Sequence, residues 1–574
     1  MASAESRVRT ELIRAAPGPP FAQYRKRRRP VGRIGGIAGP RDERTPAALV
    51  RLSAAVGSGS QLLDAERAAL VADWDTCRLD DEPIADLQAW QGLLRRGELA
   101  RVEGAFAIAF LEGDTLCLAR DAIGERTLFY ALAGERLVFA STLRAVLATG
   151  LVERRPYLPA LARYLSYAYL PGPDTLAEGV RELLPGELLR FRGGRLESSR
   201  FWEVPAEPEG PPAPEEELRA RLRSDLERAV SHRLPRGSAV GAFLSGGVDS
   251  SLVVALARRL HDAPVFTYSV SFGDGYANEL PFSTMVAEHC GTEHRIVELS
   301  PRAVLHHLDD SIASLSDPIG DPLTVPNALL FREASEEVGV VLNGEGGDPC
   351  FGGPKNLPML LAELYGGTDE DGSARERSYL RAHQKAFDDL GAMLVPEAAA
   401  HARALVEELA PAFADPRWRT LVSRLMALNV RLKGAHHILP KVDAESAPFG
   451  MLPRSPLFDR RVVETAFTIP PQLKLKGSVE KYLLKQAVAD LLPSAILERP
   501  KSGMLVPVEA WFSGPLLSTA KERLLDGLGR RGLFQRPYLE ALLAGKLRGA
   551  RPRRGAKIWL LVALEAWLRT VLDG

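Results

Sequence analysis

The chain has 574 residues, which is too long for one ordinary core and predicts two to four domains. Its composition, with 46% hydrophobic and 25% charged residues, is typical of a globular protein. The 73 Lys and Arg balance the 73 Asp and Glu, so no net basic field attracts nucleic acid, and no apolar run is long enough to predict a membrane span. The four cysteines are scattered without metal-ligand or disulfide spacing, which favours a reducing cytoplasm.

Residues 1–31 form a basic leader that the sequence predicts to be disordered. The segment is rich in Pro, Arg and Ala and contains the basic run 25–29. Such a run could contact RNA or an acidic partner, but a disordered leader is favoured, and Val31 is a candidate for the true start. The ordered pattern begins at Gly32.

Residues 32–204 show short β-type segments separated by Gly and Asp turns. This spacing is typical of stacked antiparallel sheets with a few helices. A helix is predicted at 47–56. The predicted strands are 35–39, 105–111, 115–119, 136–140 and 187–191.

A linker at residues 205–214 predicts the main domain boundary. Its repeated prolines favour an extended chain and prevent helix or sheet. A helix is predicted to begin with Glu215, because acidic residues suit a helix N-terminus. Its apolar side chains recur every four residues at Leu218, Leu222, Leu226 and Val230.

Residues 215–574 are predicted to form a second domain. Strands at 239–244, 265–272, 294–299 and 339–342 alternate with helices at 250–260, near 281–290 and near 326–337, and residues 355–574 look mostly helical. This alternation favours a parallel sheet with helices on both faces, whose sites lie at the carboxyl ends of the strands.

The first candidate site is the stretch 239–251, where an apolar strand ends at Ser245-Gly246-Gly247 and a helix follows at once. Backbone N–H groups at such a helix start bind phosphate, and small glycines let a ligand approach the backbone. Asp249 could hold a magnesium ion on the same phosphates. No Walker lysine is present, and an ordinary strand–helix turn is the alternative.

A second glycine-rich loop, 343–353, also follows a predicted strand and contains Glu345 and Asp348. If Asp348 faces Asp249, the pair could hold Mg²⁺ against a polyphosphate. Glu345 would then be free to accept a proton from an attacking amine. A flexible surface loop with solvated acids is the alternative.

A third stretch, Arg499-Pro500-Lys501-Ser502-Gly503, places a lysine on a rigid turn. Lys501 could neutralise negative charge that develops on a phosphate or carbonyl oxygen. Taken alone, an exposed lysine is more often a solvated surface charge.

These motifs resemble the asparagine synthetase family. The resemblance covers about residues 32–570 and rests on the strings 240–251, 344–353, 317–322, 441–443, 455–459, 481–485 and 499–501 in the second half. Strings 118–124, 139–141 and 183–186 resemble the glutaminase-type domain of that family. The implied fold is α/β, with an N-terminal Ntn-hydrolase-like αββα sandwich and a C-terminal parallel-sheet domain of the adenine nucleotide alpha hydrolase type with extra helices.

The resemblance implies that a carboxylate attacks the α-phosphorus of ATP and that an amine displaces AMP. By position, the implied ATP contacts are Leu244, Val270, Asn343 and Gly344. The implied pyrophosphate loop is Ser245, Gly246, Gly247, Asp249 and Ser250. Asp249 and Asp348 match the magnesium ligands, Glu345 matches a residue needed around the adenylate, and Lys501 matches the catalytic lysine.

The N-terminal half departs from the resemblance. Family members that hydrolyse glutamine begin with a cysteine whose free α-amine acts as base, whereas Gly35 stands at the matching position here. The glutamine-holding Asn-Gly-Glu string is replaced by the sequence of residues 77–86. We therefore expect a degenerate glutamine amidotransferase type 2-like domain over residues 32–204, without glutaminase activity.

The sequence thus predicts an ATP- and Mg²⁺-dependent amide ligase that joins a small-molecule or peptide carboxylate to an amine or ammonia. An intramolecular cyclase, similar to lasso-peptide cyclases or β-lactam synthetases, is an alternative, and so is a non-catalytic ATP-binding scaffold. A nucleic-acid-modifying ATP pyrophosphatase is disfavoured by the neutral charge. No nucleic acid or membrane partner is expected, and a homodimer is left open.

Overall fold

The computed structural model describes residues 10–15, 19–21, 23, 33–57, 61–63, 70–353, 373–499, 504–547 and 553–574. Within these residues the strands are β1 (Thr10–Arg14), β2 (Ile34–Ala38), β3 (Gln61–Leu63), β4 (Leu70–Leu79), β5 (Glu82–Pro83), β6 (Val102–Glu112), β7 (Thr115–Arg120), β8 (Phe129–Ala133), β9 (Arg136–Ala140), β10 (Val180–Glu182), β11 (Glu187–Arg192), β12 (Arg195–Arg200), β13 (Val240–Phe243), β14 (Val265–Ser271), β15 (Glu293–Glu298), β16 (Val340–Leu342), β17 (Leu452–Arg454), β18 (Leu475–Lys476) and β19 (Val479–Glu480).

The α-helices of the same residues are Thr45–Val56, Leu87–Arg95, Leu143–Ala148, Leu158–Tyr167, Glu215–Arg233, Val248–Leu260, Leu280–Cys290, Pro301–His306, Leu308–Ser314, Thr324–Ala334, Gly347–Phe351, Ala374–Ala382, Leu390–Met393, Pro396–Ala399, Ala402–Ala414, Leu421–Leu428, Leu439–Ser446, Arg460–Thr468, Pro471–Lys474, Tyr482–Ala487, Ser494–Glu498, Val508–Ser513, Leu517–Lys521, Arg536–Leu543 and Arg554–Trp567. The wider π-helical turns are Asn429–Ile438, Glu522–Gly527 and Leu568–Leu572.

Two stacked sheets form the N-terminal half. One has the strand order β10-β8-β9-β2-β3 and the other β12-β11-β7-β6-β4-β5. Their facing sides share one buried core, to which Tyr130 and Phe139 contribute from the first sheet and Ala107 and Leu118 from the second. Alternate residues of each strand therefore face this core, as period-two patterning requires.

Helices cover the outer faces of both sheets. Thr45–Val56 and Leu143–Ala148 pack on the first sheet, and Leu87–Arg95 packs on the second, where its Trp90 is fully buried. The layers are helix, sheet, sheet and helix. The predicted αββα sandwich is confirmed.

The C-terminal half is built on a parallel sheet with the order β1-β15-β14-β13-β16-β17. Every neighbouring pair in it runs parallel. The helices Val248–Leu260, Leu280–Cys290 and Thr324–Ala334 connect its strands, at the positions that the alternating sequence pattern predicts. The predicted α/β fold is confirmed, and β13 lies inside the sheet.

The prediction of a disordered leader over residues 1–31 is wrong for part of that segment. Thr10–Arg14 form the edge strand β1, which pairs in register with His294–Glu298 of β15. Phe21 is 3% exposed and packs on His307 and Phe449. This pairing depends on the open edge of a sheet formed far along the chain, which local composition does not reveal. The basic run 25–29 and Val31 lie outside the described residues.

Residues 205–214 contain no helix or strand, and Glu215–Arg233 follows them as one helix. The predicted apolar face of this helix is buried, from Leu218 to Val230. The carboxylate of Glu207 accepts hydrogen bonds from the hydroxyl groups of Thr420 and Ser423 at the start of the helix Leu421–Leu428. The connecting segment is thus fastened to the C-terminal half.

No helix in the described ranges is both long enough and apolar enough to cross a membrane. The most apolar C-terminal run lies instead in Arg554–Trp567, whose side chains are mostly buried in the protein core.

Buried ion pairs join the two halves. The guanidinium of Arg126, 3% exposed, lies 3.3 Å from Asp73 in its own half and 3.2 Å from Asp443 in the other. Further pairs across the same contact are Arg233 with Glu125 (3.0 Å), Arg454 with Asp75 (2.7 Å) and Arg228 with Glu103 (2.8 Å). The charges of Arg126 and Arg233 have left water almost completely, so each needs its partner in the folded protein.

We expect the substitution Arg126→Met to lower the free energy of unfolding by about 3–5 kcal/mol, because it leaves the buried carboxylates of Asp73 and Asp443 without their cation. Scanning calorimetry measures the loss as a lower melting temperature. The matched control is Arg192→Met, whose pair with Asp114 is about 70% exposed on both sides and should contribute at most about 1 kcal/mol. Equal melting temperatures for the two variants would contradict a structural role for the buried pairs.

Candidate functional site

The first glycine-rich loop leaves β13 at the carboxyl end of the sheet. Ser245 donates its backbone N–H to Ser250 Oγ (3.2 Å), and the backbone N–H of Gly247 lies 3.3 Å from Ser245 Oγ. The helix Val248–Leu260 then begins inside the loop. These bonds fix the turn and aim the start of the helix outward, as the sequence predicts.

The second glycine-rich loop leaves the neighbouring strand β16 and packs directly on the first. A Cβ atom at Gly344 would overlap the backbone of Ser250, and one at Gly347 would overlap the carboxylate of Asp249. Only glycine permits this approach. Contact between the loops therefore explains the glycines at positions 344 and 347.

The two loops enclose a cavity of about 260 Å³. The predicted site residues that line it are Leu244, Ser245, Gly247, Asp249, Ser250, Val270, Asn343, Gly344, Glu345 and Asp348. Gly246 lies on the far side of the turn, against Phe282 and Ser283. Lys501 lies outside the described residues, so its predicted role stays a prediction.

Lys481 lies between Asp249 and Asp348, two acids of the cavity wall, and its own side chain lines a neighbouring cavity. Its buried ammonium lies 2.5 Å from Asp249 Oδ2 and 2.5 Å from Asp348 Oδ1. The carboxylates of Asp249 and Asp348 therefore face each other across a cation that they share. Lys481 also has a left-handed backbone, with φ of 54°, a conformation that costs energy in a lysine and is often found at functional sites.

Sequence reasoning assigned no role to Lys481. It belongs to the string 481–485 that carries part of the family resemblance, and this was the one available signal. An isolated lysine at the start of a short helix carries no pattern of its own. Its position depends on the backbone turn between β19 and the helix Tyr482–Ala487.

A buried charge network lies behind Glu345. Lys441 Nζ lies 2.7 Å from Asp321 Oδ2. Burial alone would raise the pKa of Asp321, but the Lys441 ammonium holds this pKa well below its usual value. The fully buried Glu445 has a pKa raised well above its usual value by that burial. Lys441 also interacts electrostatically with Glu345, and hence links this network to the cavity.

The adjacent histidines 436 and 437 point to different partners. His436 Nδ1 lies 2.6 Å from Glu182 of the N-terminal half, and His437 stacks on Tyr169 with ring centroids 5.0 Å apart. Burial lowers the pKa of His437 to about 4, so the ring is neutral. Among the described residues, no cluster of three or more His, Cys, Asp or Glu could hold a metal ion.

The N-terminal half leaves little room for a side chain at the position of the expected nucleophile. Gly35 lies in β2, and a Cβ atom there would come 3.3 Å from the carbonyl oxygen of Phe139 and 3.4 Å from Leu52. The thiol of Cys77, in β4 of the other sheet, is buried and donates to the carbonyl oxygen of Ala105 (3.1 Å). Burial raises the pKa of Cys77 well above its usual value, which suppresses the reactive thiolate.

Known proteins match the chain over most of its length. The sequence model of the family described as "Asparagine synthase" matches residues 221–569, and the one described as "Glutamine amidotransferase domain" matches residues 79–202. The chain is 25% identical to "Asparagine synthetase [glutamine-hydrolyzing] 1" of Bacillus subtilis, over 82% of this chain and 78% of that protein. It is 29% identical to a putative asparagine synthetase of Mycobacterium bovis, over 74% of this chain and 70% of that protein.

Solved structures give weaker matches. An NH3-dependent NAD synthetase from Campylobacter jejuni is 16% identical, with 35% of this chain and 96% of that chain covered and a TM-score of 0.19. A glutamine phosphoribosylpyrophosphate amidotransferase from B. subtilis is 12% identical, with 42% and 72% covered and a TM-score of 0.18. Scores this low support no conclusion about function.

We expect Lys481→Met to lower the free energy of unfolding by about 2–3 kcal/mol at low salt, because Asp249 and Asp348 lose the ammonium that lies between them. Added MgCl2 should recover part of the loss in this variant and raise the melting temperature more than NaCl of equal ionic strength. Lys485→Met, one turn further along the same helix, is the control and should show no such Mg²⁺ response. If MgCl2 did not change the melting temperature of Lys481→Met, this result would count against a cation-binding role for the two aspartates.

Proposed function

The chain belongs to the asparagine synthase family, and from this premise we propose that it is an ATP-dependent amide ligase that activates a carboxylate as an acyl-adenylate. The observation that carries the proposal is the convergence of both glycine-rich loops on one cavity, with Asp249, Asp348 and Glu345 in its wall. A scaffold without catalytic function would not need to keep these groups together.

In the first step, a carboxylate oxygen of the substrate bonds to the α-phosphorus of ATP. The bond from that phosphorus to the bridging oxygen of the β-phosphate breaks, and pyrophosphate leaves with the electron pair. Backbone N–H groups at the start of the helix Val248–Leu260 are suited to hold the departing phosphates. Lys481, beside Asp249 of the same helix, can neutralise the charge that develops on them.

Magnesium fits the acidic part of this cavity. Asp249 and Asp348 already converge on one cation, the Lys481 ammonium, and Mg²⁺ is commonly held by one or two carboxylates with substrate phosphates completing its shell. We infer that these two residues would hold Mg²⁺ when ATP is bound, with the ammonium displaced toward the phosphates. The ion would supply charge neutralisation on the phosphate oxygens.

In the second step, an amine nitrogen bonds to the acyl carbon and the bond from that carbon to the phosphate oxygen breaks, which releases AMP. The nitrogen must lose a proton. Glu345, in the cavity wall, is the candidate base. Lys441, which interacts with Glu345, can stabilise its carboxylate before the transfer.

We also propose that the N-terminal half does not hydrolyse glutamine. Gly35 offers no nucleophile, and the closely packed Leu52 and Phe139 leave little room beside it. The amine would then come from free ammonia, from a separate amine, or from the substrate itself. The last case makes the enzyme a cyclase, and the mass of the product distinguishes it, because cyclisation removes one water without adding a second molecule.

ATP–pyrophosphate exchange tests the proposed activation step. We expect exchange with at least one carboxylate from a panel that includes aspartate. Asp249→Asn should reduce the rate by at least about a hundredfold, because one carboxylate of the cation site is lost. Asp262→Asn, an exposed residue beyond the end of the same helix, should leave the rate unchanged. If Asp249→Asn exchanged as fast as the unmodified protein, the assigned site would be wrong.

Glutaminase activity is tested separately by the release of glutamate from glutamine. We expect no release above background, and none after Gly35→Cys, because the added thiol has no free α-amine beside it and is crowded by Leu52 and Phe139. Ammonium chloride in place of glutamine is the control for the ligase half. Release of glutamate at the rate of amide formation would overturn the proposal.

A further inference from the structure

A second and larger cavity lies beside the first. Its volume is about 760 Å³, and the described residues that line it come from 321–323, Lys385, 504–509, 542–547 and 553–556. Leu323 and Met504 line both cavities. A molecule in the second cavity could therefore reach a nucleotide in the first between these two side chains.

The wall of the second cavity is mostly apolar. Its side chains include Leu505, Val506, Val508, Leu542 and Leu547. Leu505 is 74% exposed, more than any other large apolar side chain among the described residues. An apolar wall open to water gains free energy when an apolar ligand covers it.

Three of the charged groups in this wall are already paired. Asp321 binds Lys441 (2.7 Å), Glu509 accepts the backbone N–H of Gly555 (2.6 Å), and Arg554 donates to the carbonyl oxygen of Leu542 (3.0 Å). These groups hold the wall together and are not free to bind a ligand.

Lys385 is different. It lines the same cavity and makes no hydrogen bond or ion pair with any residue that the structure describes. Burial lowers its pKa, Asp321 raises it, and the nearby charges of Arg553 and Lys433 lower it further. Lys433 lines the nucleotide cavity, whereas Lys385 and Arg553 line the second cavity, so positively charged side chains are present in both walls. A half-buried ammonium that makes no ion pair with a described carboxylate can bind an anionic ligand.

We propose that this second cavity binds the carboxylate substrate, and that the substrate has an extended apolar body much larger than that of aspartate. This inference rests on the proposed ligase function and names its substrate class. The carboxylate lies beside Lys385, facing the nucleotide between Leu323 and Met504. The apolar body lies against Val506, Val508 and Leu542.

The size of the cavity supports a large substrate. Its volume of about 760 Å³ is nearly three times the volume of about 260 Å³ of the cavity that we assign to ATP. Aspartate is a small molecule and carries two charged carboxylates. It would leave most of the cavity empty and place its second carboxylate against apolar side chains, which is unfavourable.

The test is ATP–pyrophosphate exchange with the full chain and the straight-chain carboxylates acetate, butanoate, hexanoate and octanoate, each compared with aspartate. Because each buried methylene is worth about a fourfold change in binding, we expect kcat/KM to rise about fourfold per methylene along the series. Aspartate should be a poorer substrate than octanoate. ATP binding is followed in parallel by calorimetry.

Two variants locate the substrate. Val506→Trp fills the cavity and should lower kcat/KM for octanoate at least tenfold while leaving that for acetate nearly unchanged. Lys385→Met should raise KM for octanoate about tenfold or more, because a charge-assisted contact is lost. The matched controls are Leu132→Trp and Lys521→Met, both on exposed surfaces away from the cavity, which should leave every parameter unchanged.

The outcomes separate this inference from the proposed function. A rate that rises with chain length and falls selectively in Val506→Trp supports both. Exchange that is as fast or faster with aspartate, or insensitive to Val506→Trp, overturns the substrate class but leaves the ligase activity intact. If ATP binds but none of these carboxylates supports exchange, the proposed substrate class is wrong. If no other carboxylate of the earlier panel supports exchange either, the proposed ligase activity is also wrong.

Discussion

The close contact between the two glycine-rich loops is the constraint on which the site depends. Gly344 lies against the backbone of Ser250, and Gly347 lies against the carboxylate of Asp249. Side chains larger than glycine would separate the loops and move Asp348 away from Asp249. The sheet determines where the loops begin, because β13 and β16 are neighbours and end at the same edge. The position of the acids relative to each other is thus a consequence of backbone packing.

The N-terminal sandwich has kept a structural function that does not require catalysis. Its Arg126, together with Glu125 and Asp75, forms buried ion pairs with residues of the C-terminal half. Asp443, the partner of Arg126, follows closely after Lys441, which interacts with the proposed base Glu345. Loss of the N-terminal half would remove the partners of Asp443 and Arg454. The sandwich therefore has a structural role that does not depend on a nucleophile at position 35.

Much of the architecture could be predicted from the sequence because it depends on local patterns of apolar, polar and turn-forming residues. The alternation of apolar strands and helices predicts the parallel sheet, and the glycine turns after β13 and β16 predict where ligands bind. All but one of the site residues predicted within the described ranges line a single cavity. The exception, Gly246, follows the turn to its opposite side, which spacing alone does not distinguish.

The features that sequence reasoning missed depend on long-range contacts. Lys481 reaches the two aspartates only because its own backbone is left-handed. The second cavity is assembled from segments that share no motif and meet only in the folded protein. Strand β1 is short and has no distinctive composition. It can pair only after β15 has become the edge strand of the parallel sheet. In each case the partner is distant in the chain, so no local pattern indicates the contact.

The pairing of β1 with β15 has a consequence for the order of folding. Thr10 pairs with His294, and the whole N-terminal sandwich lies between them in the chain. During synthesis the N-terminal domain can fold as soon as it leaves the ribosome, whereas β1 must wait until the central strands of the parallel sheet have been made. Strand β1 is therefore made before the sandwich but paired after it, and its pairing closes a loop of chain that contains the whole sandwich.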